Sequence, residues 1–192
     1  MAQGKIKHWG VSLNTVEECE VAVANGRPAV FQMEYNLLGR DAEAAFKKAK
    51  SADVGVVSRV PLKRGFLTGR FPVEHQFADG DVRSRVLTQE NMIRFQEKLD
   101  KLTEISKQTG ISTTEQAIRF CVSNPDVTTV TMGIRTPQQA DQACSPGKYI
   151  YFGWEDRPPG YGWTDSDYDD IRVVVECPST TTTRKTVVRL IE

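Results

Sequence analysis

The sequence predicts an α/β fold built on a parallel sheet. Three observations lead there. Short, apolar, β-branched runs recur between residues 6 and 132. Helical patterns with apolar residues three and four apart separate them. Capping residues open those helices, and glycine or Asn-Pro closes them.

Taken in order, Ile6–Val11 reads as a strand that breaks at Ser12 and Asn14. Thr15-x-x-Glu18 is a capping box opening a helix to Asn25, stopped by Gly26. Ala29–Met33 is the second strand, and Asp41–Ala52 a helix carrying Ala42, Ala45, Phe46 and Ala49. Val54–Val60 is the third strand. Thr88–Thr109 is the longest helix, striped by Met92, Phe95, Leu99, Leu102 and Ile105 and closed by Gly110. Ser112-x-x-Glu115 opens another, ended by Asn124-Pro125. Thr128–Met132 is the fourth strand, and Thr136-Pro137-Gln138-Gln139 caps a further helix with Pro at its first position. Four strand–helix alternations suit either an open doubly wound sheet or a (β/α)8 barrel. No G-x-G-x-x-G follows a strand, which weakens the dinucleotide-fold version.

The texture changes near residue 144. Lys148–Trp154, Ile171–Val175 and Thr186–Ile191 read as strands around turn-rich and polar segments. The expected division is an α/β unit at 1–144 and a β-rich acidic tail at 147–192.

With 192 residues, 39% of them hydrophobic, the chain is long enough for one sizeable core. Its 25 basic and 25 acidic residues cancel, so no charge favours nucleic acid or an anionic membrane. No apolar run approaches the ~20 residues of a membrane span, and the first residues lack a signal-peptide core. The expectation is a cytoplasmic protein. Cys19, Cys121, Cys144 and Cys177 form no C-x-x-C and read as reduced thiols; Cys144 and Cys177 would pair only in an exported tail. Two histidines, His8 and His75, exclude a His-rich metal site, and neither stands beside a nucleophile motif.

Ligands of parallel sheets bind beyond the carboxyl ends of the strands. Those ends read Ser12-Leu13-Asn14, Gln32-Met33-Glu34-Tyr35-Asn36, Ser58-Arg59-Val60-Pro61-Leu62 and Gly133-Ile134-Arg135-Thr136. They are rich in amides, hydroxyls and arginines, which hold polar ligands. Residues 61–70 add two glycines, a lysine and two arginines. Glycines let backbone N–H groups approach a phosphate, and the cations neutralise it. Arg135 and Thr136 stand at a helix start, where an anion is favoured. Two anion sites on one face suit a ligand with separated phosphates.

The stretches "GKIKHWGVSLNTVEECEVA", "FQMEYNLL", "VGVVSRVPLKRGFLTGRF" and "TVTMGIRTPQQADQ" resemble successive motifs of the aldo-keto reductases, in the family's order and spacing, across about residues 3–143. The resemblance implies a (β/α)8 barrel of the TIM type that binds NADP(H) extended and reduces aldehydes and ketones. It places Ile6–Val11 as the barrel's fifth strand, so the chain reads as the C-terminal half: four βα units followed by a short β tail. It implies that Ser12, Asn14 and Gln32 face the nicotinamide carboxamide. Arg59 stands where many members pack an aromatic on the ring. Leu62, Gly65, Leu67 and Gly69 would wrap the pyrophosphate, and Gly133, Arg135 and Gln139 would hold the adenosine end, Arg135 being suited to a 2′-phosphate. The family's Asn after the strand-five Ser is Leu13 here, with Asn14 one place late, and an Asn late in the last helix falls at Ala143.

The family's Asp, Tyr, Lys and His tetrad belongs to the barrel's first half and has no matching position here, so no catalytic residue is assigned. A carbonyl substrate would need the missing half. Four strands cannot close a barrel. A truncated or fused product that is not independently stable is the expected outcome, ahead of a homodimer of half barrels or tail strands covering an edge.

The tail segment 153–176 holds seven carboxylates and two arginines. Asp165, Asp167 and Asp169 alternate as hard-cation ligands do. As an EF-hand the segment fails, because Asp170 occupies the turn-glycine position. It resembles a signature of β-rich, calcium-associated domains of unassigned function. The plain reading of the segment is a solvated acidic hairpin loop; the alternative to a reductase is a non-catalytic, cation-binding β interaction module, with calcium as the cation, carried on a truncated barrel.

Overall fold

The structure, a computed structural model, describes residues 6–26 and 28–134 together with the backbone of strands 149–154, 171–176 and 187–190. Among these residues the chain runs β1 (Gly10–Leu13), α1 (Val16–Ala24), β2 (Val30–Glu34), α2 (Glu43–Ser51), β3 (Gly55–Arg59), α3 (Arg83–Val86), α4 (Gln89–Thr109), α5 (Thr113–Ser123), β4 (Thr129–Met132), β5 (Tyr149–Trp154), β6 (Ile171–Glu176) and β7 (Val187–Leu190). The strands join one sheet in sequence order. β1 to β4 are parallel neighbours. β5 continues parallel along β4, and β6 and β7 follow antiparallel.

Strand alternation splits β1 to β4 into two faces. Leu13, Phe31, Met33, Val56, Val130 and Met132 are buried against Cys19 of α1, Ala45, Phe46 and Ala49 of α2, and Ile118 and Cys121 of α5. The opposite, inner face carries Gly10, Ser12, Gln32, Glu34, Val57, Arg59 and Thr131, exposed or half-buried, and Thr129, which is buried. Among the described residues the apolar side chains these strands bury therefore face the helices.

The first strand starts later than its apolar run suggests. Pairing opens where Ala29 N–H donates to Trp9 O at 2.8 Å, and Ile6, ahead of it, is 53% exposed. Gly10 fits there because a Cβ would stand 3.0 Å from Val30 O. The capping box at α1 forms as expected. Thr15 Oγ1 accepts from Glu18 N at 3.2 Å, and Glu18 accepts from the N–H groups of Asn14 and Thr15. Thr88 and Ser112 cap α4 and α5 in the same manner. Helix α3 was not readable from periodicity. Asp81 starts it, its carboxylate accepting from both the backbone and the guanidinium of Arg83.

A second cluster forms where Met92, Phe95 and Leu99 of α4 bury Phe66 and Leu87. Phe66 and Leu67 are fully buried, which pins the loop after β3 from below. The helix expected from Thr136, and the segments holding Cys144, Cys177 and Asp165–Asp169, lie outside the described residues.

Candidate functional site

Parallel pairing brings the carboxyl ends of β1 to β4 to one edge, and the register aligns their inner-face side chains in rows. Ser12 stands beside Gln32, Gln32 beside Val57, and Val57 beside Thr129. One step further on, Glu34 stands beside Arg59, and Arg59 beside Thr131. These rows unite Ser12, Gln32 and Arg59 with a residue the motif did not single out, Glu34. The signal for it was present, since Glu34 lies two positions after Gln32 and must share its face.

A charged network occupies the second row. Arg59 Nη2 donates to Asn14 Oδ1 at 2.8 Å, and Arg59 Nη1 lies 3.9 Å from Glu34 Oε2. Lys63 Nζ sits 2.5 Å from Glu34 Oε1, with only 14% of the lysine side chain exposed. Asn36, fully buried, donates through Nδ2 to Val60 O at 3.1 Å and accepts from Leu38 N at 3.0 Å. Burial pushes the Glu34 carboxyl up. The Lys63 hydrogen bond and the charges of Lys63 and Arg59 outweigh it, so the net displacement is downward and the group is ionised at neutral pH. Among the described residues, the Nε atoms of Arg59 and Arg64 are buried without hydrogen-bond partners. These are unsatisfied cationic donors of the kind an anionic ligand satisfies.

The loop from Val60 to Gly69 holds these cations by an uncommon backbone. Val60, Lys63 and Arg64 have φ of 59°, 46° and 54°, the left-handed region. For a β-branched valine this is a strained conformation, and such strain clusters at functional sites. Gly65 and Gly69 flank the 3₁₀ turn Phe66–Thr68. The N–H groups of Gly65, Leu67 and Gly69 donate within the loop, to Leu62 O, Leu62 O and Phe66 O. The charge this loop offers comes from its lysine and arginine side chains.

The remaining expected residues are placed as follows. Leu13 is buried among the core residues, and Asn14 turns outward to Arg59, which explains the one-place shift of the amide. Leu62 packs on the core edge and Leu67 is fully buried. Gly133 is exposed just past β4. Arg135 and Gln139 lie outside the described residues, as do Asp165, Asp167 and Asp169. Among the described residues no group of three His, Cys, Asp or Glu side chains is placed to hold a metal ion.

Two other features are structural. An open cleft of about 290 Å³ between α2 and α5 is lined by Tyr35, Arg40, Glu43, Phe120 and Asn124, on the helix side of the sheet. Its polar atoms are mutually satisfied: Tyr35 Oη donates to Glu43 at 2.9 Å and accepts from Asn124 at 3.0 Å, and Arg40 pairs with Glu43. Cys19 and Cys121 are free and buried, and burial pushes the Cys121 thiol up to about 12, so it is inert.

The sequence profile of the Aldo/keto reductase family matches residues 1–146. The chain belongs to the aldo/keto reductase family. Among curated relatives it is similar to a probable voltage-gated potassium channel subunit beta of Oryza sativa subsp. japonica, 30% identical over 152 residues, 71% of this chain and 45% of that protein. The aldo-keto reductase YhdN of Bacillus subtilis is 28% identical over 72% of this chain and 43% of its own length. An aldo-keto reductase of Schizosaccharomyces pombe whose name specifies NADP(+) is 25% identical over 64% of this chain. This aldo/keto reductase family chain spans less than half the length of these relatives. Among solved structures, a glycerol dehydrogenase from Gluconobacter oxydans superposes with a TM-score of 0.63 at 23% identity, over 85% of this chain and 47% of that one. An aldo-keto reductase from Bacillus halodurans, holo form, gives 0.54 at 22%, over 74% and 44%. These likenesses establish the fold: an α/β chain whose parallel sheet resembles the (β/α)8 barrels of the family. Among the described residues no helix is long and apolar enough to cross a membrane.

Proposed function

We propose that this chain carries the cofactor-binding half of an aldo/keto reductase site, taking NADP(H) and lacking the groups that complete carbonyl reduction. The observation that carries this is the inner-face cluster at one sheet edge. Ser12 and Gln32 offer a hydroxyl and an amide for the carboxamide, and Arg59, Lys63 and Arg64 supply cations, two with unpartnered buried Nε atoms. That donor set fits a nicotinamide ring joined to a pyrophosphate. The cofactor named for the Schizosaccharomyces pombe relative supports the phosphorylated form. On this reading β1 to β4 correspond to barrel strands five to eight, and Arg135 and Gln139 hold the adenosine end. The cofactor supplies hydride when bound. This chain's residues orient the ring and neutralise the phosphates, while the proton donor belongs to the family's tetrad, which has no counterpart among these residues.

Titration of the full 192-residue chain with NADPH, followed by fluorescence, tests the reading. Saturable binding without reduction of aldehydes or ketones is expected. Absence of saturable binding by both NADPH and NADH would overturn it. Turnover of a carbonyl would locate a proton donor within the chain and overturn the incomplete-site half of the proposal.

A further inference from the structure

We infer that Arg59 and Glu34 set which redox state of the cofactor this site prefers, Arg59 favouring the reduced form and Glu34 moderating that preference. The inference rests on the cofactor reading above and concerns a property that reading leaves open.

Arg59 ends β3 on the inner face, in register with Glu34 on one side and Thr131 on the other. Its side chain is 23% exposed and is anchored by Asn14 Oδ1 at 2.8 Å. On the cofactor reading it is a fixed cation beside the nicotinamide ring. The oxidised ring carries a positive charge and the reduced ring none, while the phosphates and adenosine are the same in both. The ratio of their affinities therefore isolates the field at the ring from everything that holds the rest of the molecule.

The local charges do not cancel. Arg59 and Lys63 each contribute one positive charge, and Glu34 one negative. The carboxylate lies between the two cations, Lys63 Nζ at 2.5 Å from Oε1 and Arg59 Nη1 at 3.9 Å from Oε2. Within this trio one positive charge is left over, and Arg64 on the same loop adds to it, in a half-buried setting where water screens it incompletely. It repels the oxidised ring and leaves the neutral one untouched. Removing Glu34's charge leaves the cations unopposed and strengthens that repulsion; removing Arg59's weakens it.

The test is the pair of dissociation constants for NADPH and NADP+ on the full chain, native and in E34Q, R59M and R59K. The native chain is expected to bind NADPH about tenfold more tightly than NADP+. That preference raises the potential of the bound two-electron couple by about 30 mV. R59M lowers the ratio towards one, R59K keeps it, and E34Q widens it roughly threefold to tenfold. The native ratio needs no variant: a value of one, or a preference for NADP+, overturns the inference. So does a variant that weakens both forms equally, because Arg59 and Glu34 would then be structural only. If neither form binds the native chain, the cofactor reading falls and takes this inference with it. Binding with an indifferent ratio removes the inference alone.

Discussion

Glu34 is a carboxylate whose burial and charged neighbours act in opposite directions, and the neighbours win. A carboxyl held below its usual range stabilises the folded chain when ionised. That contribution is present above the usual carboxylate value and is lost as the pH falls through the lowered one. Acid unfolding of E34Q is therefore expected to be less steep than that of the native chain over the acid limb, measured by circular dichroism against pH. An unchanged acid limb would show that Lys63 and Arg59 do not act on this group. If Arg135 holds the adenosine end as proposed, R135A is expected to weaken NADPH binding about ten- to a hundredfold, as loss of a charge-assisted contact of ~1.5–3 kcal/mol implies. NADH, which lacks the 2′-phosphate, should be almost unaffected. Equal losses for both would point to general local damage, and no loss would remove Arg135 from the site.

At the scale of elements, α1 and the site share a hinge residue. Glu18 accepts from Asn14 N–H at 2.6 Å, while the Asn14 side chain holds Arg59. The cap of α1 thus fixes the residue that anchors the guanidinium. T15A should cost about 1 kcal/mol of stability, the usual loss for an N-cap, read as a lower midpoint in urea. Helix starts were legible in the sequence because caps are local: Thr15, Thr88 and Ser112 each bond a residue three positions on. Strand limits were less so, because a partner sets them. The run Ile6–Val11 became Gly10–Leu13 once paired with Val30–Met33. Helix α3, a single turn, is too short for periodicity to show. The site divides along the same line. Ser12, Gln32 and Arg59 followed from motif and strand ends, whereas the Glu34–Lys63 pair depends on how the loop after β3 folds back, which no local pattern encodes.

For the whole molecule, the two sides of the parallel sheet differ. Among the described residues β1 and β7 are the edge strands, while the outer edge of β4 is taken by β5. Unpaired strand edges recruit other chains. Removing residues 147–192 would strip β5 to β7 and move the far edge to β4, whose Val130 and Met132 are buried in the full sheet. The shortened chain is expected to self-associate more strongly than the full one, as sedimentation velocity at rising concentration would show. Identical sedimentation of the two would mean that β5 shields nothing.

The connection from β3 to β4 sets an order of events. β1 joins β2, and β2 joins β3, across one helix each, as in the pairs Val11–Phe31 and Gln32–Val57. β3 reaches β4 only across α3, α4 and α5, pairing Val57 with Thr129. A connection roughly threefold longer adds about 1 kcal/mol of closure entropy, and contacts distant in sequence form slowly. The first three strands can therefore assemble as a nucleus while β4 still wanders. Everything that β4 organises, including its neighbour β5, arrives only when that last closure is made, so a chain emerging from the ribosome gains its basic loop before it gains the strand that flanks Arg59.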